Sequence, residues 1–376
     1  MLDLWKRVTL HAILQTQLIS HRFSAVLQKG WRTMQVVMKD VAKYAGLSVS
    51  VVSKYLKSPE SVRCDTREKI EAAISALGYV PNLNARSLRT GRTNLISVIT
   101  PEVTDPLYIA FFDELRQVMR PLGISMLLQT VEDTPDVSRG GHFLSAAQLQ
   151  PVDAVILCFP DDEKLVEETA ARSGCPVVLI HWRPHPAAAI NIVVDVAEGM
   201  YLATRYLLEQ GHTRLAYIGG PDWSCQSTRK REGFLRAVRE AGCLQTCENI
   251  FRGAYRMDTG TFGMDVFSKL RTQPTAVVTE NDQLAVGALQ YHTSYPSRLP
   301  EDLAFTGFGD TFLTMVIFPQ IASIHIPLPK ICSFIAERLT AYWKTKEGAT
   351  CHYEPTLSIK DPNHRIEPNF SPRTED

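Results

Sequence analysis

At 376 residues the chain is too long for one small domain and points to two or three units of ordinary size. Its 45% apolar and 21% charged residues exclude a disordered or fibrous chain, and no apolar run approaches the roughly 20 residues needed to span a bilayer. The net charge of zero conceals an asymmetry: residues 1–33 hold five Lys/Arg against Asp3, and residues 34–93 hold ten against five Asp/Glu, while the remainder carries 25 against 34. A basic head on an acidic body implies that only the head meets a polyanion.

Residues 1–33 are basic, weakly amphipathic and without a small-residue cleavage site. Three readings stay open for them: a mis-assigned start with translation from Met34 or Met38, a poorly folded arm that adds nonspecific DNA affinity, and a targeting peptide. They are set aside from the fold. From residue 34 to 80 the spacing predicts three helices. "KDVAKYA" places Val41, Ala42 and Ala45 on one face, Gly46 supplies the left-handed turn, and Ser48 caps a second helix docked through Val52 and Leu56. Small Ala42, then Gly46 four later and apolar Val52 six beyond, is the spacing of a helix-turn-helix. "DTREKIEAAISALG" is predicted as the third helix, with Asp65 and Glu68 as a capping box and Gly78 as its stop.

Residues 81–93 are too polar to bury themselves and are expected to order only against something else. After Asn94 the runs "LISVIT", "ISMLLQ", "AVILCF", "VVLI", "RLAYIGG", "AVVT" and "LAFTGF" alternate with helix-like stretches. That alternation predicts parallel sheets covered by helices, and six or more units favour two doubly wound lobes over 94–376. The eight cysteines are scattered without a Cys-x-x-Cys pair, which fits reduced thiols in a cytosol and no metal site. No Gly-x-Gly-x-x-Gly after a strand, no Gly-x-Ser-x-Gly and no His-Glu-x-x-His is present, so no catalytic residue and no cofactor is expected. His212 in "GHTRLAYIGG" is expected to cap or pack near a strand start.

"KDVAKYAGLSVSVVSKYLKSPESV", "TREKIEAAISALGYVPNLNARSLRTGRTN", "GHTRLAYIGGP", "TENDQLAVGAL" and "LAFTGFGD" together resemble the lactose/galactose-repressor (LacI/GalR) family of bacterial transcription regulators. The resemblance runs from about Lys39 to the end and is strongest between 39 and 110. It implies an all-α helix-turn-helix head on an α/β body of two parallel-sheet lobes like periplasmic binding proteins. It also implies a cytoplasmic, non-membrane homodimer that binds a near-palindromic double-stranded operator, with DNA affinity set by a small molecule. Val49, Ser50 and Lys54 match the positions that meet base edges; Tyr44, Ser53, Lys57 and Arg67 suit phosphate contact. Asn82, Ala85 and Leu88, with Arg89 beside them, match a hinge helix whose leucine wedges into the minor groove.

In the body the resemblance implies effector contacts from Tyr108, His181, Lys230, Tyr255, Asn281 and Asp310. Departures from the family pattern shift the expected ligand. His181 stands in "LIHW" where many neutral-sugar members carry Asp, Gly309 replaces another Asp, and Lys230 replaces a common Arg. Two acids are lost while a cation stays, so a sugar acid or sugar phosphate is expected, a gluconate-like aldonate first, as in the gluconate-repressor-like branch. The last apolar helix, "KICSFIAERLTAYWK", is followed by a proline-bearing tail without a leucine heptad, which argues against a tail-built tetramer. A sugar-binding protein without operator function, and a regulator that its ligand drives onto DNA, stay open as alternatives.

Overall fold

Small and branched side chains build the first unit. Val41, Ala42, Val52, Ile70 and Ala73 are buried together, and they come from α1 (Met38–Ala45), α2 (Val49–Lys57) and α3 (Cys64–Leu77). The computed structural model describes residues 36–79, 92–130, 132–133, 142–143, 151–243, 248–316, 321–360 and 366–370. The chain divides into two compact units, with the boundary between Thr90 and Gly91. Gly46 adopts φ +66°, and the turn is closed by Gly46 N–H to Lys43 O and Leu47 N–H to Ala42 O. That paired closure needs a left-handed residue, which glycine supplies without a Cβ penalty. Ser48 Oγ accepts the Val51 N–H at 3.4 Å, as expected of a cap on α2. The third helix differs from expectation: it begins at Cys64 behind Arg63, so Asp65 lies inside the first turn and forms no capping box with Glu68. An acid in that turn still favours the helix dipole.

The second unit holds two large sheets, and a two-stranded antiparallel ribbon pairs 132–133 with 142–143. The first is all parallel, in the order β11-β5-β4-β3-β1-β2, from β1 (Leu95–Thr100), β2 (Ser125–Thr130), β3 (Ala154–Cys158), β4 (Val177–His181), β5 (Ile190–Val194) and β11 (Ala349–Tyr353). The second runs β13-β12-β10-β9-β8-β6-β7, from β6 (Leu215–Gly219), β7 (Ile250–Arg252), β8 (Ala276–Thr279), β9 (Ala304–Gly309), β10 (Ala322–His325), β12 (Thr356–Lys360) and β13 (Ile366–Phe370). In it only β12 and β13 run antiparallel to their neighbours. Strands β3, β4, β5 and β6 are buried at every residue, because helices cover both faces. The covering helices used below are α4 (Pro106–Met119), α5 (Glu163–Ser173), α6 (Val196–Glu209), α7 (Cys225–Glu240), α8 (Met257–Ser268), α9 (Asp282–Ser294), α10 (Leu313–Val316) and α11 (Leu328–Thr345).

The chain leaves the first lobe after β5, returns after β10 to add α11 and β11, and crosses again to end in the second lobe. Strands β5, β7, β10, β11, β12 and β13 are absent from the sequence reading; β7 has three residues and β10 four, too few to show a period. The hinge segment expected at 81–93 lies almost wholly outside the described residues, and so do Asn82, Ala85, Leu88 and Arg89.

Candidate functional site

On the first unit most of the residues singled out from sequence are exposed. Tyr44 is 62% and Val49 44% exposed, and Ser50, Lys54 and Lys57 are exposed as well. Val49 opens α2 and is not a core residue; Val52, three further on, takes the buried position. Ser50 and Lys54 are one helical turn apart, so they share a face with the start of α2. Tyr55 ties the helix down from behind, its hydroxyl donating to Glu71 Oε1 at 2.9 Å. Arg67 has a buried Nε with no hydrogen-bond partner among the described residues.

In the body a cleft of about 430 Å³ opens outside the carboxyl ends of the parallel strands, where open α/β sheets place ligands. The first lobe contributes Glu102, Asp105, Tyr108, Phe159 and Asp161, and the second Trp223, Ser224, Gln226, Gly253 and Tyr255. A smaller apolar pocket adjoins it through Tyr108, Phe159 and Gln226, and is walled by Phe111, Ile180, Lys230, Phe308, Leu328 and Ile331 among others. Phe159 holds φ +45°, an unusual backbone for a bulky residue at a cleft wall.

Tyr108 and Tyr255 both line the larger cleft. The Tyr108 phenol is buried and hydrogen-bonded to Gln226, and burial pushes its pKa up. Tyr255 donates to Glu280 Oε2 at 2.8 Å, and Glu280 Oε1 accepts from Tyr217 at 2.6 Å and Ser227 at 2.7 Å. The Tyr255 ring lies so close over Gly220 that a Cβ there would come within 2.2 Å of Cζ, so the close approach requires glycine.

The other four expected contacts differ. Lys230 walls only the apolar pocket: its Nζ donates to the Glu280 backbone oxygen at 2.8 Å and lies 4.1 Å from the Phe308 ring centroid. Burial lowers its pKa, and the carboxylates of Glu280, Asp105 and Asp282 oppose that shift. Asn281 caps α9 by accepting Leu284 N–H at 2.9 Å and donates across the lobes to Asp105 Oδ2 at 3.1 Å, so both ends of its amide bond protein groups. His181 is 3% exposed and does not line the cleft; it packs beside Phe159 and Trp182, 3.9 Å from Cys225 Sγ. Asp310, at φ +48°, faces His325 Nδ1 at 3.1 Å and is not in the cleft wall either. Buried polar groups need partners, and each of these found one within the protein.

Burial lowers the His181 pKa to about 4. The unfolded chain, near 6.5, then takes up the proton first, so stability is unaffected above about pH 6.5 and falls as pH drops from there to about 4, by up to about 3 kcal/mol. Thermal midpoints measured across that range should fall more steeply for the wild type than for His181→Leu.

Sequence reasoning missed Trp223, 53% exposed in the cleft wall, and the acids Glu102, Asp105 and Asp161. Glu102 Oε1 is buried with no hydrogen-bond partner among the described residues, and burial raises its pKa. The signal available was position alone, since each follows a predicted strand at its carboxyl end. Among the described residues no Lys or Arg lines the larger cleft, and no group of three His, Cys, Asp or Glu could hold a metal.

Residues 37–82 match the profile of the bacterial regulatory proteins, lacI family, and residues 204–361 that of the periplasmic binding protein-like domain. The chain therefore joins a lacI-family DNA-binding domain to a periplasmic binding protein-like domain. A relative, the HTH-type transcriptional repressor PurR of Vibrio vulnificus (strain CMCP6), is 28% identical over 332 residues, which cover 88% of this chain and 99% of the relative. Among solved structures, the lac repressor dimer bound to operator and the anti-inducer ONPF matches with TM-score 0.66 and 22% identity over 86% of this chain and 97% of that one. The transcriptional regulator CelR–cellobiose complex matches with TM-score 0.60 and 24% identity over 86% and 98%. No helix among this chain's described residues is long and apolar enough to cross a membrane.

Proposed function

We propose that the chain is a DNA-binding transcriptional repressor whose effector is a neutral ring compound rich in N–H or O–H donors, held between aromatic faces. The observation that carries this is the wall of the larger cleft: Tyr108, Phe159, Trp223 and Tyr255 beside the carboxylates of Glu102, Asp105 and Asp161, with no cation among them. Aromatic rings stack on flat ligands, and carboxylates accept donors that an apolar wall would strand. The unpartnered Glu102 Oε1 offers one such acceptor. A nucleobase and a neutral sugar both meet this description; cellobiose is the ligand in the CelR structure. A sugar acid or sugar phosphate would turn its charge toward three acids, and the one buried cation nearby, Lys230, donates to Glu280 O. Calorimetry against nucleobases, neutral mono- and disaccharides, aldonates and sugar phosphates tests the reading. Tight binding of an aldonate or sugar phosphate alone would overturn it, and would restore the gluconate-like expectation.

On DNA, the reading assigns base contacts to Val49, Ser50 and Lys54. Tyr44, Ser53, Lys57 and Arg67 position the head on phosphates, and Asn82, Ala85, Leu88 and Arg89 work in the minor groove at the centre of a near-palindromic site read by a homodimer. The exposed amino end of α2 supports it. Lys54→Ala should cost about 1–3 kcal/mol at the preferred site and relax base preference at one position per half-site. Binding measured over a panel of single-base variants checks this, because a uniform loss across all of them would make Lys54 a phosphate contact.

A further inference from the structure

The apolar pocket that adjoins the larger cleft and the point where the linker joins the body touch the two ends of one helix. At its amino end, Leu328 and Ile331 of α11 wall the apolar pocket. At its carboxyl end, Trp343 donates from Nε1 to the backbone oxygen of Asp153 at 3.1 Å, and the Arg92 guanidinium lies 4.0 Å from the centroid of its ring. Asp153 gathers the incoming chain: its Oδ1 accepts Thr93 N–H at 2.7 Å and Thr93 Oγ1 at 2.9 Å, and its Oδ2 accepts Asn94 N–H at 3.0 Å and Arg92 Nε at 3.3 Å. These four bonds hold the last residues before β1, including the left-handed Asn94 at φ +52°. From Leu328 to Trp343 is about 22 Å of helix. Between the ends Ile331, Cys332, Ile335, Ala336 and Leu339 are buried, and α11 packs on α4, which carries Tyr108. A helix clamped along its length in a close-packed core shifts as a unit instead of flexing.

We propose that α11 is a rod coupling the apolar pocket, which shares Tyr108, Phe159 and Gln226 with the effector cleft, to the linker's entry into the body, with Trp343, Arg92 and Asp153 as positioning residues at its far end. This rests on the reading of the chain as an effector-controlled operator binder. The signal is a displacement of the rod, which the Asp153 cluster converts into a changed starting point for the segment that precedes β1.

The test uses the full chain, a duplex that the wild type selects from a randomised pool, and an unrelated duplex of equal length. Arg92→Met and Trp343→Phe should each weaken binding to the selected duplex about tenfold, within the span of such couplings. Binding to the unrelated duplex should be unchanged, and Arg92→Lys should recover most of the loss. A general loss of folding would weaken both duplexes, and that result, or no change on either, would overturn the role at the far end. Leu328→Ala probes the pocket end. Combined with Arg92→Met it should depart about threefold or more from the product of the single effects, although distant sites ordinarily act independently; a simple product would overturn the rod. Hydrogen exchange of the free protein gives a second readout. Leu328→Ala should speed exchange of the Thr93 and Asn94 amides, and unaltered rates there count against the rod. If the wild type selects no duplex, the operator reading fails, while the exchange experiment still decides the rod.

Discussion

Glu280→Leu is expected to be the most damaging single substitution in the body, costing about 3–5 kcal/mol. Glu280 is fully buried, accepts hydroxyl protons from Tyr217, Ser227 and Tyr255, and lies against Lys230, which is itself 3% exposed. Leucine removes every one of those acceptors at once and leaves the ammonium buried without its nearest counter-charge. Breaking one side of a buried charged network costs more than replacing both sides with apolar groups. The double variant Glu280→Leu with Lys230→Met should therefore be more stable than Glu280→Leu alone. Thermal unfolding checks this: for a body of this size the single variant should lose about 6–20 °C in midpoint, and the second substitution should return part of it. If Lys230→Met only adds to the loss, Glu280 is acting as a hydrogen-bond acceptor and its charge is incidental.

Gly220→Ala should lower affinity for whichever compound the calorimetric panel selects by about 10–100-fold. The added Cβ would lie 2.2 Å from Tyr255 Cζ and 2.5 Å from its Oη, so the ring must leave its place. Tyr255 is anchored at its far end on Glu280 and lines the cleft, and moving it removes both a wall and a buried hydrogen bond. Combining Gly220→Ala with Tyr255→Ala separates the two effects. The smaller side chain relieves the clash and should restore thermal stability, yet ligand affinity should stay low. Recovery of affinity in the double variant would show that Tyr255 is scaffolding and not a ligand contact.

The helix-turn-helix was legible because its rules are local. Ala42, Gly46, Ser48 and Val52 each answer a demand made within a turn or two of chain, and the structure meets those demands with short-range bonds. The capping box at Asp65 failed for an equally local reason, since Arg63 and Cys64 begin the helix before it. Strands such as β1 and β3 announce themselves as apolar runs, while β7 and β10 are short segments specified by the neighbours they pair with. In the body, matching positions located the neighbourhood of the cleft but not the task of each side chain. Lys230 walls the apolar pocket and Asn281 caps α9, and the folded protein supplies their partners as Glu280 O, Leu284 N–H and Asp105. The cleft acids and Trp223 come from separate loops that only the fold gathers, so no spacing along the chain could reveal them.

The triple crossing between the lobes bears on how the protein is made. Strand β11, which completes the first sheet against β5 in the register Ala349 to Ile190, is translated after nearly all of the second lobe. So is α11, which covers the first lobe against α4. On the ribosome the first lobe must therefore wait, with an open sheet edge and an uncovered apolar face, until residues beyond Tyr353 have emerged. Chains usually fold domain by domain from the amino end. Here the two lobes mature together, and the exposed β5 edge during that interval is where a nascent chain would meet chaperones or aggregate.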